Sequence, residues 1–272
     1  MPRVLANTPV YFILIVMSII FVSPFYVLIV TALKPFSEVS VLTMWSLPAN
    51  INFSSFVQAI SELAPNLWNS FKMVIPATLI SALLGSINGY ALSKWKFKGS
   101  EVFFNFLLLG MFIPYQSILI PLIQTIDSMG LYNTITGLVL VHIVYGLPMT
   151  TLMFRNFYAT IPHALIEASQ MDGAGFFKTY FKVVFPLSIT SFVVVGIWQF
   201  TNIWNEFLFA ITITGHGQHP VMVALQNLSG SQVVEWNVQM AGALFAAIPT
   251  MLIYILAGRF FIKGLLAGSV KG

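Results

Sequence analysis

Cysteine is absent from the 272 residues, and charge is scarce: Asp, Glu, Lys and Arg together make up 7%. The first absence excludes disulfides, thiolate metal sites and a cysteine nucleophile. The second excludes an ordinary soluble domain, in which about 25% of residues are charged. The histidines His142, His163, His216 and His219 are scattered without His-Glu-x-x-His spacing, and no Gly-x-x-x-x-Gly-Lys-Ser/Thr phosphate loop occurs. Any ATP the protein uses is therefore expected on another subunit. What is abundant is apolar: 58% of the chain is hydrophobic, with a mean hydropathy of +0.88. These values predict an all-α, polytopic membrane protein.

A membrane helix needs about 20 apolar residues. Six runs qualify, at about 10–33, 73–93, 102–126, 131–154, 187–211 and 238–258. The first is too long for a signal-peptide core and lacks a small-x-small cleavage site, so it reads as a retained span. With the N-terminus inside, the cytoplasmic segments hold Arg3, Lys94, Lys96, Lys98, Arg155, Lys178, Lys182, Arg259, Lys263 and Lys271. Only Lys34 and Lys72 fall outside, at helix ends from which a long side chain can snorkel to the interface. This bias follows the positive-inside rule and sets both termini in the cytoplasm. Orientation, rather than nucleic acid, then explains the net charge of +4.

Between the spans, residues 34–72 form an external segment punctuated by Pro35, Pro48 and Pro65. Phe53, Phe56, Val57 and Ile60 recur there at helical spacing, which predicts a short amphipathic helix along the membrane surface. The external segment 212–237 carries Gly215-His216-Gly217-Gln218-His219-Pro220 and reads as a flexible loop, either solvated or touching a partner. Lys94-Trp95-Lys96-Phe97-Lys98 reads as an interfacial anchor. The cytoplasmic segment 155–186 reads as helix, glycine turn, helix: Pro162 opens the first, Gly173 and Gly175 close it, and a second runs over about 176–184 to Pro186.

In that segment Glu167-Ala168-Ser169, three residues, Gly173, nine residues and Val183-Val184-Phe185-Pro186 resemble the E-A-A-x3-G-x9-I-x-L-P signature of ABC importer permeases. Ser169, Val183 and Phe185 depart from it, while the spacing is intact. Further along the chain, Asn69-Ser70, Gly89-Tyr90-Ala91-Leu92, Asn133-Thr134 and Trp204-Asn205-Glu206-Phe207 make the whole resemble the shorter partner of the maltose-type carbohydrate permease pair. The resemblance implies one transmembrane domain over 1–272 with the ABC importer permease fold and six spans. It also implies a second homologous permease, an ATPase dimer that binds ATP and Mg, an external solute-binding protein, and a bacterial-type inner membrane as location. It assigns Glu167, Ala168, Ser169, Asp172, Gly173 and Pro186 to a helix that couples to the ATPase, and Gly268, Val270 and Lys271 to a tail reaching toward it. Ala168 and Ser169 are small enough to permit close helix packing. Glu167 and Asp172 could make charge-assisted hydrogen bonds to it.

Polar groups within spans are costly and mark candidate pathways. Trp198, Gln199, Asn202, Asn205 and Glu206 share about 120° of one helix face, where an aromatic ring could stack on a sugar and the polar groups bond its hydroxyls. The same amides could instead bond across helices. Asn105, Gln116, His142 and Tyr145 are weaker candidates, and Gly85-x-x-x-Gly89 is a close-packing pattern. Sugar import is the expectation. Its alternatives are an ABC permease for a peptide, amino acid, phosphonate or glycerol-3-phosphate, and an ion-driven transporter, which would need an acid–base pair within the spans.

Overall fold

A computed structural model of the chain describes residues 8–95, 97–229 and 234–269. Among these residues every regular element is helical. In chain order the helices are α1 (Thr8–Ala32), α2 (Ser54–Lys94), α3 (Ser100–Phe112) and α4 (Tyr115–Ser128), α5 (Ile135–Ala159) and α6 (His163–Met171). They continue with α7 (Phe176–Leu187) and α8 (Ile189–Trp204), α9 (Leu208–Ile213), α10 (Val221–Leu228) and α11 (Trp236–Ser269). Four of them are long and apolar enough to cross a membrane, and six crossings result if the bent pairs α3/α4 and α7/α8 each count as one.

Each bend has a local cause. The α3/α4 pair turns by 91° at Ile113, whose ψ of 118° is the extended conformation a following proline imposes. The α7/α8 pair turns by 79° at Ser188, two residues after Pro186. A π-helical turn at Tyr180–Val184 loosens the helix just before the proline, which has no N–H to give the preceding turn. The first bend falls within the run read as a span at about 102–126, and the second at the start of the run at about 187–211.

Two further expectations change. The amphipathic stretch is not a separate surface helix: α2 runs unbroken through Pro65 and Pro76 for 41 residues, about 60 Å. That is roughly twice the hydrocarbon thickness. The segment 212–237 contains the helix α10 rather than only a flexible loop.

The chain divides into two compact units, residues 1–64 with 224–248 and residues 65–223 with 249–272. In the first, Ala32, Ala59, Val238 and Ala241 form a small-residue core. Pro24 inside α1 leaves the Ile20 carbonyl without its backbone donor, and Ser23 Oγ supplies one at 2.8 Å. Lys34 does not snorkel to an interface: it is 1% exposed, and its Nζ donates to the Thr43 carbonyl at 2.5 Å. In the second unit, Gly85 and Gly89 let α2 approach α5 so closely that added Cβ atoms would lie 2.2 Å from Thr150 Oγ1 and 2.8 Å from the Arg155 backbone nitrogen. The core beside this contact joins Tyr90, Phe154, Tyr158, Ile166 and Tyr180.

Candidate functional site

Two sites emerge, both within the unit of residues 65–223. The first is the segment around α6. The helix turns Ile166 and Ser169 inward, while Glu167, Ala168, Gln170, Met171 and Asp172 stand exposed. Its end is a Schellman closure: the Gly173 amide donates to the Gln170 carbonyl, and the Ala174 amide to that of Ser169, both at 2.9 Å. The closure requires the left-handed φ of +74° at Gly173, which costs a residue with a Cβ about 1–2 kcal/mol. Space is not the constraint, because nothing lies within 4 Å of a Cβ built there.

The inward side of this segment is fastened by hydroxyl groups. Ser169 Oγ donates to the Ile166 carbonyl at 2.8 Å and lies 2.9 Å from Thr179 Oγ1 on α7. Ser169 is thus 9% exposed and bonds its own chain. Further along α7, the Tyr180 hydroxyl lies 2.7 Å from Ser86 Oγ on α2, which also bonds the Tyr158 hydroxyl of α5. Tyr158 in turn donates to Ser188 Oγ, at the α7/α8 bend, over 3.3 Å. Four helices thus meet through buried hydroxyls. On the near side of α6, Lys94 Nζ donates to the Ile161 carbonyl at 2.6 Å and fixes the entrance to the helix. Arg155 is held away from the exposed face, making two 2.7 Å bonds to the Glu101 carboxylate with its guanidinium 3.9 Å from the Phe104 ring centre. The sequence singled out none of Ser86, Tyr158 or Tyr180 as functional.

The second site is a cavity of about 460 Å³ lined by Trp198, Gln199, Asn202, Asn205 and Glu206, the five residues expected on one face, together with Tyr115, His142, Tyr145, Gly146 and Phe209. Asn105 and Gln116 are not among its lining. The five do not share one role. Gln199 is 2% exposed and donates to the His142 carbonyl at 3.4 Å. It crosses α5 at Gly146, where an added Cβ would sit 2.0 Å from Gln199 Nε2. Gln199 is therefore the interhelical bond the sequence offered as the alternative. Glu206 caps α9: its Oε1 accepts from the Phe209 amide at 2.7 Å and its Oε2 from the Ala210 amide at 3.1 Å, at the end of a helix that favours negative charge. Asn202 and Asn205 remain exposed and Trp198 half-buried.

His142 is the eighth residue of α5, about two turns from its start. The turn after α8 brings Glu206 beside it, with Oε2 3.8 Å from His142 Nε2. Phe209 packs at a tilt against Tyr145 at 4.8 Å and Tyr115 at 5.1 Å between ring centres, which closes the aromatic wall.

The segment after α9 is also held. Asn66 donates to the His219 carbonyl at 2.8 Å, Asn69 to that of Gly217 at 3.0 Å, and Ser70 Oγ accepts from the Val221 amide at 2.8 Å. Thr214 Oγ1 donates to the Ala210 carbonyl at 2.6 Å and lies 2.9 Å from His219 Nδ1. Burial, and then the neighbouring His216, hold His219 below the usual imidazole range. Of the expected tail, Val270 and Lys271 lie outside the described residues, and Gly268 lies near the end of α11. No group of three or more His, Cys, Asp or Glu suited to a metal occurs among the described residues.

Comparison with known proteins matches residues 77–263 to the family described as "Binding-protein-dependent transport system inner membrane component". The chain is 33% identical to the glucose import system permease protein GlcU of Saccharolobus solfataricus, over 96% of this chain and 95% of that one. It is 33% identical to the xylose/arabinose import permease protein XacI of Haloferax volcanii, over 90% and 87% respectively. A probable ABC transporter permease of Pyrococcus horikoshii is 55% identical over 60% of each chain. In fold, the chain superimposes on a chain of a bacterial ABC transporter involved in the import of the acidic polysaccharide alginate. The TM-score is 0.80 at 18% identity, covering 95% of this chain and 97% of that one.

Proposed function

We propose, from the fact that this chain belongs to the family of binding-protein-dependent transport system inner membrane components, that it is the shorter of two permease subunits of an ATP-driven importer for a sugar or sugar-derived solute. A second permease, an ATPase dimer holding ATP and Mg, and an external solute-binding protein complete the assembly in its lipid membrane. ATP hydrolysis belongs to the partner subunits, and both termini lie in the cytoplasm. The glucose and xylose/arabinose permeases among the relatives support the sugar class.

The observation that carries the mechanism is the asymmetry of α6. Its outer face, with Glu167, Ala168, Met171 and Asp172, is free for a partner, while its inner face is tied through Ser169 and Thr179 to α7. The ATPase dimer grips the outer face. Its closure moves α6 and α7 as one body, and the Tyr180–Ser86–Tyr158–Ser188 bonds carry that movement to the bend at the start of α8. The solute passes along the α8 wall, where Trp198 offers a ring face and Asn202 and Asn205 offer hydrogen bonds. Gln199 and Glu206 hold that wall in shape.

The His142–Glu206 pair is the feature an ion-driven transporter would need, but the family assigns the chain to binding-protein-dependent import. Proteoliposomes holding the full complex test the reading. Sugar uptake that requires both ATP and the binding protein is expected; uptake that follows an ion gradient without ATP contradicts it.

A further inference from the structure

The charge balance of the α8 cavity is one-sided. Asn202 Nδ2 donates to the Trp198 carbonyl at 2.8 Å and Asn205 Nδ2 to that of Thr201 at 2.9 Å. Each exposed amide keeps its oxygen and one N–H for a ligand. Glu206 adds a carboxylate, and among the described residues no Lys or Arg lines the cavity. Behind Glu206, His142 is 5% exposed, and its Nε2 has no hydrogen-bond partner. That atom faces the carboxylate at 3.8 Å rather than the open space. Trp198 and the tilted cluster of Tyr115, Phe209 and Tyr145 supply the aromatic surface.

We infer that this cavity takes an uncharged, hydroxyl-rich ring and rejects anionic ones, such as uronates and sugar phosphates. The inference rests on the reading above that the solute passes along this wall. Sugar hydroxyls bond the Asn202 and Asn205 amides while the ring lies on an aromatic face. A carboxylate or phosphate instead brings a charge that meets the Glu206 carboxylate, with no Lys or Arg in the lining to offset it.

The cysteine-free chain allows a direct test. Thr201 lines the cavity, and its hydroxyl is spent on the Ile197 carbonyl at 2.8 Å, so Thr201→Cys adds a reporter without removing a ligand group. In the intact complex, maleimide labelling of that cysteine is followed with glucose, galactose and mannose and with the matching uronates. Neutral hexoses are expected to slow labelling, with uronates needing at least about tenfold higher concentration for equal protection. Glu206→Gln in this background narrows the gap. Asn202→Lys, which leaves the α9 cap intact, closes it. Equal protection by uronates overturns the inference, as does absence of protection by any hexose. If ATP-driven uptake of neutral hexoses continues without protection, the inference alone falls. If no saccharide is taken up, the sugar-import reading falls with it.

Discussion

The segment around α6 and the wall of α8 are built in opposite ways. The first is defined by backbone: a left-handed glycine and two amide–carbonyl bonds fix where the helix stops. Its exposed side chains are not engaged in fixing its shape. The second is defined by side chains, and these divide their capacity between structure and ligand. Glu206 caps α9, Gln199 bonds across to α5, and only Trp198, Asn202 and Asn205 remain for a solute. A backbone-built docking element tolerates changes on its surface and not at its turn. A side-chain-built wall responds to every substitution, and loses shape and affinity together.

The largest effect is expected at the turn. Gly173→Val puts a β-branched residue at φ +74°, a cost of at least about 1–2 kcal/mol. It should reduce ATP-driven uptake to background while the amount of folded complex in the membrane is unchanged. Normal uptake in this variant would remove the turn from the mechanism. On the wall, Gly146→Ala drives a methyl into Gln199 Nε2 and should cost about 1–3 kcal/mol. It would appear as a lower melting temperature together with weaker sugar protection of a Thr201→Cys reporter. A change in only one of these readouts would separate structure from affinity on the wall.

Between the two regions, Tyr180→Phe removes the bond to Ser86 and costs about 1 kcal/mol. ATP hydrolysis should persist while uptake per ATP falls, and equal loss of both would mean a purely structural role. The smallest effect belongs to the segment after α9. His219 is held below its ordinary pKa by burial, so the folded state binds its proton less readily than the unfolded chain. The stability this provides is complete above about pH 6.5 and is lost as pH falls through the lower folded value. Protection of the amides at residues 214–221, taken relative to their intrinsic exchange rates, should therefore fall as pH drops below about 6.5, and the His219→Gln variant should lose that dependence.

Legibility in the sequence follows the same division. Gly173 and the helix before it could be read because a local backbone requirement leaves a residue at a fixed place. The five wall residues could be grouped because helical periodicity alone puts them on one face. The direction of Ser169 could not be read, since inward and outward depend on Thr179, ten residues later. The angles of the bends at Ile113 and Ser188 could not be read, because the composition of an apolar run sets its length and not its direction. Helix α10 was masked by its glycine-rich flanks, and the nearness of Glu206 to His142 needed the turn after Trp204. The Ser86–Tyr158–Tyr180 cluster joins three distant helices and leaves no periodic trace.

The central claim is that energy reaches this chain through the outer face of α6. Ala168 is exposed there, and Ala168→Cys would be the only cysteine in the chain. Its maleimide labelling should be fast when the permease pair is isolated and strongly slowed when the ATPase dimer is bound. Equal labelling with and without the ATPase would contradict the account.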